Sequence, residues 1–246
     1  MTLALFDDPS AAPAPPEGAR RDADFYPTPT ALWRAFVPVL RSRLAGSGTD
    51  CAACGWASME PVKFCGWCER PMGAHDGLIV EPACGDGRLL DGLAEMGIHR
   101  SRLAGVDIRS DAVKQTRGKG YAARCIDWLR PDAADHLPNG GEGCAFVTNP
   151  PFVVGLEFAR TCIERAGPNG LVALLLRITW LEPTVERAAF LASTPFDVWV
   201  SPKRVSFTDG KNTDSATTAW FVWPPEDRRE EGHLVRYLGR NDGGQS

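Results

Sequence analysis

The chain has 246 residues, of which 43% are apolar and 24% charged, and a formal net charge of −4 at neutral pH. Such values describe a globular protein of one large domain or two small ones and exclude a broadly basic surface, so any nucleic-acid contact must use local basic patches. No apolar run approaches the length of about 18 residues that a membrane helix needs, and the opening "MTLALFDDPS" lacks the basic flank and longer apolar stretch of a secretory signal. A cytoplasmic protein with no membrane partner is expected.

Residues 1–22 are rich in Ala and Pro without apolar periodicity and read as a disordered tail, as does the polar, Gly-rich end "GRNDGGQS". Within the tail, "TLALF" resembles the short peptides by which bacterial DNA enzymes bind the replication sliding clamp. Leu3, Leu5 and Phe6 would be the contacts, although the usual leading glutamine is missing. The alternative, favoured by the apolar start alone, is a segment that docks on its own domain. Residues 23–46 follow, with one helix expected over 30–45 from the near-helical spacing of Leu32, Phe36, Val39, Leu40 and Leu44.

Residues 47–72 form an insertion. Cys51 and Cys54, then Cys65 and Cys68 after ten intervening residues, give two C-x2-C pairs. Four thiolates so spaced suit a tetrahedral Zn2+, and a segment this short cannot build a core without one. A small zinc-ribbon-like unit with a structural role is expected. Reading DNA is the weaker option, because Lys63 and Arg70 are its only close basic partners. The remaining Cys84, Cys125, Cys144 and Cys162 sit singly in apolar stretches and read as small buried residues.

From residue 77 short apolar runs alternate with amphipathic stretches, the pattern of βα units around a parallel sheet. Strands are expected at "LIVEP", "RLAGVDI", "AARCI", "AFVTN", "LVALLLR", "FDVWV" and "TTAWFVW", with helices after "DGR", "RSDA" and "VVGLE" and another in "PTVERAAFLAS". The last two strands have no helix between them, which implies one antiparallel strand. The expected fold is therefore α/β, a seven-stranded, mostly parallel Rossmann-like sheet over residues 73–226, with a strand or tail at 227–246.

Four places in this region carry chemistry. In "EPACGDG", Glu81, Gly85 and Gly87 stand where a strand gives way to a helix, where glycines let the backbone approach a ligand and the helix start offers N–H groups. The dinucleotide fingerprint would need glycine at position 90, which is Leu90. Asp107 and Asp127 end the next two strands, where carboxylates can accept from ribose hydroxyls and from an adenine amino group. An adenosine ligand without a pyrophosphate fits this pattern. Finally, "VTNPPF" ends the fourth strand: the Asn149 amide oxygen and the Pro150 carbonyl can both accept from one planar amino group, the prolines fix an extended backbone, and Phe152 offers a flat face for a planar ring. Either aspartate alone would read as a turn or helix cap, and "NPPF" alone as a strand-ending turn; it is the combination that points to a site.

These residues resemble the S-adenosylmethionine-dependent DNA adenine-N6 methyltransferases over about residues 24–223. "NPPF" is similar to that family's catalytic motif, "EPACGDG" to its cofactor loop, and Asp107 and Asp127 to its ribose and adenine contacts. "FYPTPT" resembles the N-terminal segment that covers the methionine end of the cofactor. The resemblance implies a methyltransferase fold, S-adenosylmethionine as cofactor and DNA as partner. It implies a catalytic set of Asn149, Pro150, Pro151 and Phe152. Cofactor contacts are implied at Tyr26, Pro27, Thr28, Glu81, Cys84, Gly85, Gly87, Asp107, Ile108, Asp127, Trp128 and Asn149. In the loop 201–215, Lys203, Arg204 and Lys211 around Phe207 suit a phosphate backbone and an extruded base. Phe207 is either the second wall of a base pocket or a core residue under a solvated hairpin. A small, phage- or orphan-type enzyme is implied, without a separate target-recognition domain. RNA adenine, protein glutamine or a non-catalytic nucleic-acid-binding module are the alternatives.

Overall fold

The computed structural model describes residues 28–44, 48–50, 57–62, 77–182, 184–201, 217–226 and 233–238. The clamp-like Leu3, Leu5 and Phe6, the covering residues Tyr26 and Pro27, the four paired cysteines and the loop residues Lys203, Arg204, Phe207 and Lys211 lie outside this set. Among the described residues there is no group of three or more potential metal ligands, and no helix is long and apolar enough to cross a membrane.

In chain order the elements are α1 (Thr30–Leu44), β1 (Gly48–Asp50), β2 (Ala57–Val62), β3 (Ile79–Glu81), α2 (Arg88–Glu95), β4 (Leu103–Asp107), α3 (Ser110–Gly118), β5 (Ala122–Cys125), β6 (Ala145–Thr148), α4 (Gly155–Ala166), β7 (Leu171–Arg177), α5 (Val185–Ser193), β8 (Asp197–Val200), β9 (Thr218–Trp223) and β10 (Leu234–Tyr237). The strands β1 and β2 pair antiparallel as a separate two-stranded sheet. Cys51 and Cys54 fall in the connection between them, and Cys65 and Cys68 follow β2.

The main sheet has the order β10-β8-β9-β7-β6-β3-β4-β5. All seven expected strands are present, and β9 runs antiparallel to both β7 and β8 while the other pairings are parallel. The expectation of seven strands is corrected to eight. The additional β10, from the segment 227–246, lies at the sheet edge along β8, pairing Leu234 with Asp197 through Tyr237 with Val200. Its residues are largely exposed, Val235 by 60% and Tyr237 by 75%, so it carries no apolar run. It is held by backbone pairing and by its ends: Leu238 is buried and its N–H reaches the Val200 carbonyl at 2.9 Å, while His233 Nδ1 accepts the Phe196 N–H at 3.3 Å.

Alternate residues of the strands feed two cores, one per sheet face, which is why the central strands read as unbroken apolar runs. One core contains Val80, Phe146, Leu174 and Phe221 with Phe158 and Cys162 of α4. The other contains Ile79, Val147, Leu175 and Trp220 with the apolar side of α1 and Leu89, Leu90 and Leu93 of α2. The free thiols Cys84, Cys144 and Cys162 are buried, as expected, and Cys125 is half-buried.

The direction of α1 matters for the site. Near its start, the Leu32 carbonyl accepts from Trp220 Nε1 at 3.3 Å, and Phe36 stacks on the Trp220 ring at 4.3 Å. Near its end, Arg43 forms a part-buried ion pair with Asp197, the first residue of β8. Trp220 pairs with Leu175 toward the carboxyl end of β7, whereas Asp197 marks the amino edge. The helix therefore crosses the sheet with its N-terminus at the carboxyl edge of the parallel strands. Its packing on α2 depends on Gly92, where a Cβ would lie 2.5 Å from the Trp33 ring.

Candidate active site

From β3 the chain moves outward to β4 and β5 and then returns to β6 on the other side of β3. That reversal opens a crevice at the carboxyl ends of β3 and β6, the place where open α/β sheets bind ligands. Glu81 ends β3, Asp107 ends β4, Asp127 follows β5 and Asn149 follows β6, so all four sequence-derived positions come to one edge.

The glycine loop is locked onto the neighbouring strand. The Cys84 N–H donates to the Val106 carbonyl at 2.9 Å, and the Gly85 N–H donates to Asp107 Oδ2 at 2.8 Å. Gly85 and Gly87 have φ of 53° and 78°, left-handed values that favour glycine. The fully buried Thr116 of α3 braces the loop from below, its hydroxyl donating to the Gly85 carbonyl at 3.0 Å. Asp107 Oδ1 accepts the Arg109 N–H at 2.9 Å and Arg109 Nε at 3.1 Å. A carboxylate offers about four acceptor sites, so a pair of hydroxyls could share it with these donors.

Electrostatics single out Glu81. It is buried, and Oε2 has no hydrogen-bond partner among the described residues. Burial first, and then the charges of Asp107 and Asp86, push its carboxyl well above the usual carboxylate range. A buried acid left short of a donor beside a glycine loop fits a ligand that brings an N–H or ammonium group, and the fit of the α-amino group of S-adenosylmethionine is good on that ground. Burial likewise pushes the Cys84 thiol up, reinforced by Glu81 and Asp107.

The remaining residues divide. Thr28 is buried just ahead of α1, whose N-terminus stands at the carboxyl edge of the sheet. Ile108 is half-buried behind Asp107. The Asp127 carboxylate accepts the Leu129 N–H at 3.1 Å and so caps its own turn, while Ile126 N–H ties that turn to the Asp107 carbonyl at 3.0 Å. The Cys84 side chain points inward, since a Cβ on Gly105 would fall 2.7 Å from its sulfur, which confines what Cys84 offers a ligand to its backbone. The Trp128 ring is buried in the core, 5.1 Å from Phe146 and 4.3 Å from the Arg165 guanidinium, rather than open to the crevice.

After β6 the chain is extended through Pro151 (φ −55°, ψ 124°) and turns at Phe152–Val154 into α4. Pro150 is buried, while Asn149, Pro151 and Phe152 are partly exposed. Phe152 packs against both cores, and the guanidinium of Arg177, the last residue of β7, lies 5.1 Å from its ring centre. Three residues of this site escaped sequence reasoning. Thr116 lies on the buried side of an amphipathic helix and gives no signal. Arg109 follows Asp107 by two positions without a motif. Arg177 did leave one: a charge closing the otherwise apolar "LVALLLR" at the functional edge.

The sequence matches no family model and no curated protein. Solved structures do match. One is described as the modification subunit of a type I restriction enzyme of Vibrio vulnificus, 14% identical, with a TM-score of 0.56 over 93% of this chain and 50% of the other. A second is the methyltransferase subunit of a type I restriction-modification system of Streptococcus thermophilus, 12% identical, with a TM-score of 0.58 over 83% and 46%. A third is described as a class I S-adenosylmethionine-dependent methyltransferase of Listeria monocytogenes, 11% identical, with a TM-score of 0.55 over 86% and 65%. The class is therefore defined at the level of fold: the chain has the fold of these methyltransferases and spans between 46% and 65% of their lengths.

Proposed function

We infer that the protein transfers a methyl group from S-adenosylmethionine to the N6 amino group of adenine in DNA. The reading rests on one juxtaposition, the Gly85–Asp107 lock and the Asn149-Pro150-Pro151-Phe152 segment at the same switch point of the sheet. It is supported by the fold shared with type I modification subunits. When bound, S-adenosylmethionine supplies an activated methyl group on a sulfonium centre.

The chain's own residues supply the rest. Asp107 takes the ribose hydroxyls, the Gly85–Gly87 loop receives the cofactor's backbone-facing atoms, and Glu81 takes its amino group. Tyr26, Pro27 and Thr28 cover the methionine end. At the acceptor side, an exocyclic aromatic amine is a poor nucleophile because its lone pair is delocalised into the ring. The Asn149 amide oxygen and the Pro150 carbonyl accept its two N–H groups, which favours a tetrahedral nitrogen, fixes the direction of its lone pair and stabilises the positive charge that develops on it. Phe152 stacks against the base, offsetting part of the roughly few kcal/mol that extrusion from a duplex costs. Lys203, Arg204 and Lys211 hold the strand, with Phe207 as a second wall. The four-cysteine segment folds around Zn2+, which zinc analysis of the purified protein checks.

The test is modification-sensitive sequencing of DNA from a host without adenine methylation, expressing the intact protein or Asn149→Ala. N6-methyladenine in a defined context that vanishes with the variant is expected. Unmodified DNA, with a folded protein that binds S-adenosylmethionine, would overturn the DNA assignment in favour of RNA or protein acceptors.

A further inference from the structure

Arg177 was assigned no role by the sequence, and its surroundings constrain what it does. It ends β7, and its backbone is fixed on both sides: it pairs with Thr218 of β9, and the following Ile178 N–H donates to the Thr217 carbonyl at 2.8 Å. Its side chain is on the α1 face of the sheet, two positions beyond Leu175. β7 runs three residues beyond its last pairing with β6, at Thr148 and Leu174, and the Arg177 guanidinium at its end reaches the Phe152 ring at 5.1 Å. A permanent cation thus stands at the aromatic residue of the proposed acceptor pocket, in a chain whose overall charge is −4.

We propose that Arg177 is a phosphate-binding residue of the acceptor site, holding a phosphate that flanks the target nucleotide while its guanidinium covers one side of the Phe152 ring. The inference rests on the proposed methyl transfer and narrows its acceptor class to a nucleotide within a phosphodiester chain. A guanidinium presents a rigid fork of N–H donors that matches phosphate oxygens in pairs and also sits well on an aromatic face. With the guanidinium over one face of Phe152, an extruded base stacked on the opposite face carries its own flanking phosphates around the ring to within reach of that fork. A glutamine side chain presented by a protein would bring no such group. The location also gives an acidic chain a local cation for a polyanion at the catalytic aromatic residue, in addition to Lys203, Arg204 and Lys211.

The experiment crosses a protein change with a substrate change. The substrates are an oligonucleotide with the sequence context that the sequencing experiment defines and copies bearing a single neutral methylphosphonate at each phosphate flanking the target adenosine. The proteins are the intact chain, Arg177→Met and Arg177→Lys. For the intact protein, one neutral linkage is expected to raise KM about tenfold or more, the scale of a charge-assisted hydrogen bond. Arg177→Met is expected to show the same loss on the ordinary oligonucleotide and no further loss on the neutral one. Its logarithmic salt dependence should fall by roughly 0.7 to 0.9, one phosphate contact fewer, with unchanged S-adenosylmethionine affinity. Arg177→Lys, which keeps the charge without the fork, should recover part of the affinity and the linkage sensitivity.

Losses that add in Arg177→Met, or an intact protein insensitive to every flanking linkage, would overturn the proposal. If Arg177→Met fails to fold, Arg177→Lys carries the comparison of protein with linkage, and an intact protein insensitive to every flanking linkage still overturns the proposal. Methylation without linkage sensitivity sinks this inference alone, whereas cofactor binding with no methylation of any oligonucleotide sinks the proposed function with it.

Discussion

Replacing Thr116 by Val tests whether the cofactor loop is held from beneath. The side chain is fully buried, its hydroxyl donates to the Gly85 carbonyl at 3.0 Å, and a Cβ on Gly87 would stand 3.0 Å from that same oxygen. Valine keeps the shape and removes the hydroxyl, so the Gly85 carbonyl is left with only the weak Cys84 thiol donor at 3.8 Å, in a place with little access to water. Leaving one buried acceptor unsatisfied costs about 1–3 kcal/mol. For a chain of this size that corresponds to a fall in Tm of roughly 2 to 12 °C. Because the lost bond fixes the loop that receives the ligand, the part of this energy spent in re-forming the loop on binding should appear in affinity, at about tenfold in Kd for each 1.4 kcal/mol. Differential scanning fluorimetry gives the first quantity and calorimetric titration with S-adenosylmethionine the second. Thr116→Ser, which retains the hydroxyl, should restore affinity although it loses the methyl contact. A Thr116→Val protein with unchanged Tm and unchanged affinity would refute the brace, and one with lower Tm but intact affinity would show that Thr116 serves the core and not the loop.

Asp107→Asn should weaken S-adenosylmethionine binding by at least tenfold in titration, since an amide cannot accept from both the Gly85 and Arg109 N–H groups and loses a charge-assisted bond worth about 1.5–3 kcal/mol. Gly92→Ala forces a Cβ to within 2.5 Å of the Trp33 ring, and overpacking of about 1–3 kcal/mol should outweigh the gain of up to about 1 kcal/mol in helix propensity, lowering Tm and shifting tryptophan emission. Glu81→Gln should raise stability at neutral pH. The folded protein holds the Glu81 carboxyl well above its ordinary 4.5, so it binds more protons than the unfolded chain. The stability tied to this group is complete below that ordinary value and is lost as pH rises through the raised one. Urea unfolding across pH should show the downward slope reduced in the variant, and identical slopes would sink the assignment.

Much of the fold was legible because the apolar runs are long and interrupted at regular intervals. The strands "LIVEP", "RLAGVDI", "AFVTN" and "LVALLLR" are buried on both faces, and the absence of a helix between "FDVWV" and "TTAWFVW" already implied the antiparallel β9. The eighth strand was not legible as part of the sheet, because Leu234–Tyr237 gains its place from backbone pairing to β8 and leaves its side chains in solvent. In the site, Glu81, Asp107 and Asn149 could be found since each ends a strand, a position visible in one dimension. Thr116 and Arg177 act across the fold, from a helix interior and a neighbouring strand, on partners far away in sequence, whereas Arg109 acts locally on Asp107 in a stretch that carries no motif.

Buried polar side chains at the two edges of the sheet meet different fates. At the amino edge, Asp197 meets Arg43 in a part-buried pair that fastens α1 to β8, a polar contact completed within the chain. At the carboxyl edge, Asp107 accepts from the loop and from Arg109, which explains why the loop is fixed there, and keeps acceptor capacity for a ligand. At the same carboxyl edge, at the ends of the two strands that flank the switch point, Glu81 Oε2 and Thr148 Oγ1 are buried with no hydrogen-bond partner among the described residues. Each such atom opposes folding by about 1–3 kcal/mol. A chain selected for stability alone would fill β3 and β6 to their ends with apolar side chains, as it does at Val80, Phe146 and Val147. The polarity placed one step further, at the crevice between these strands, is a cost that a ligand in the crevice offsets.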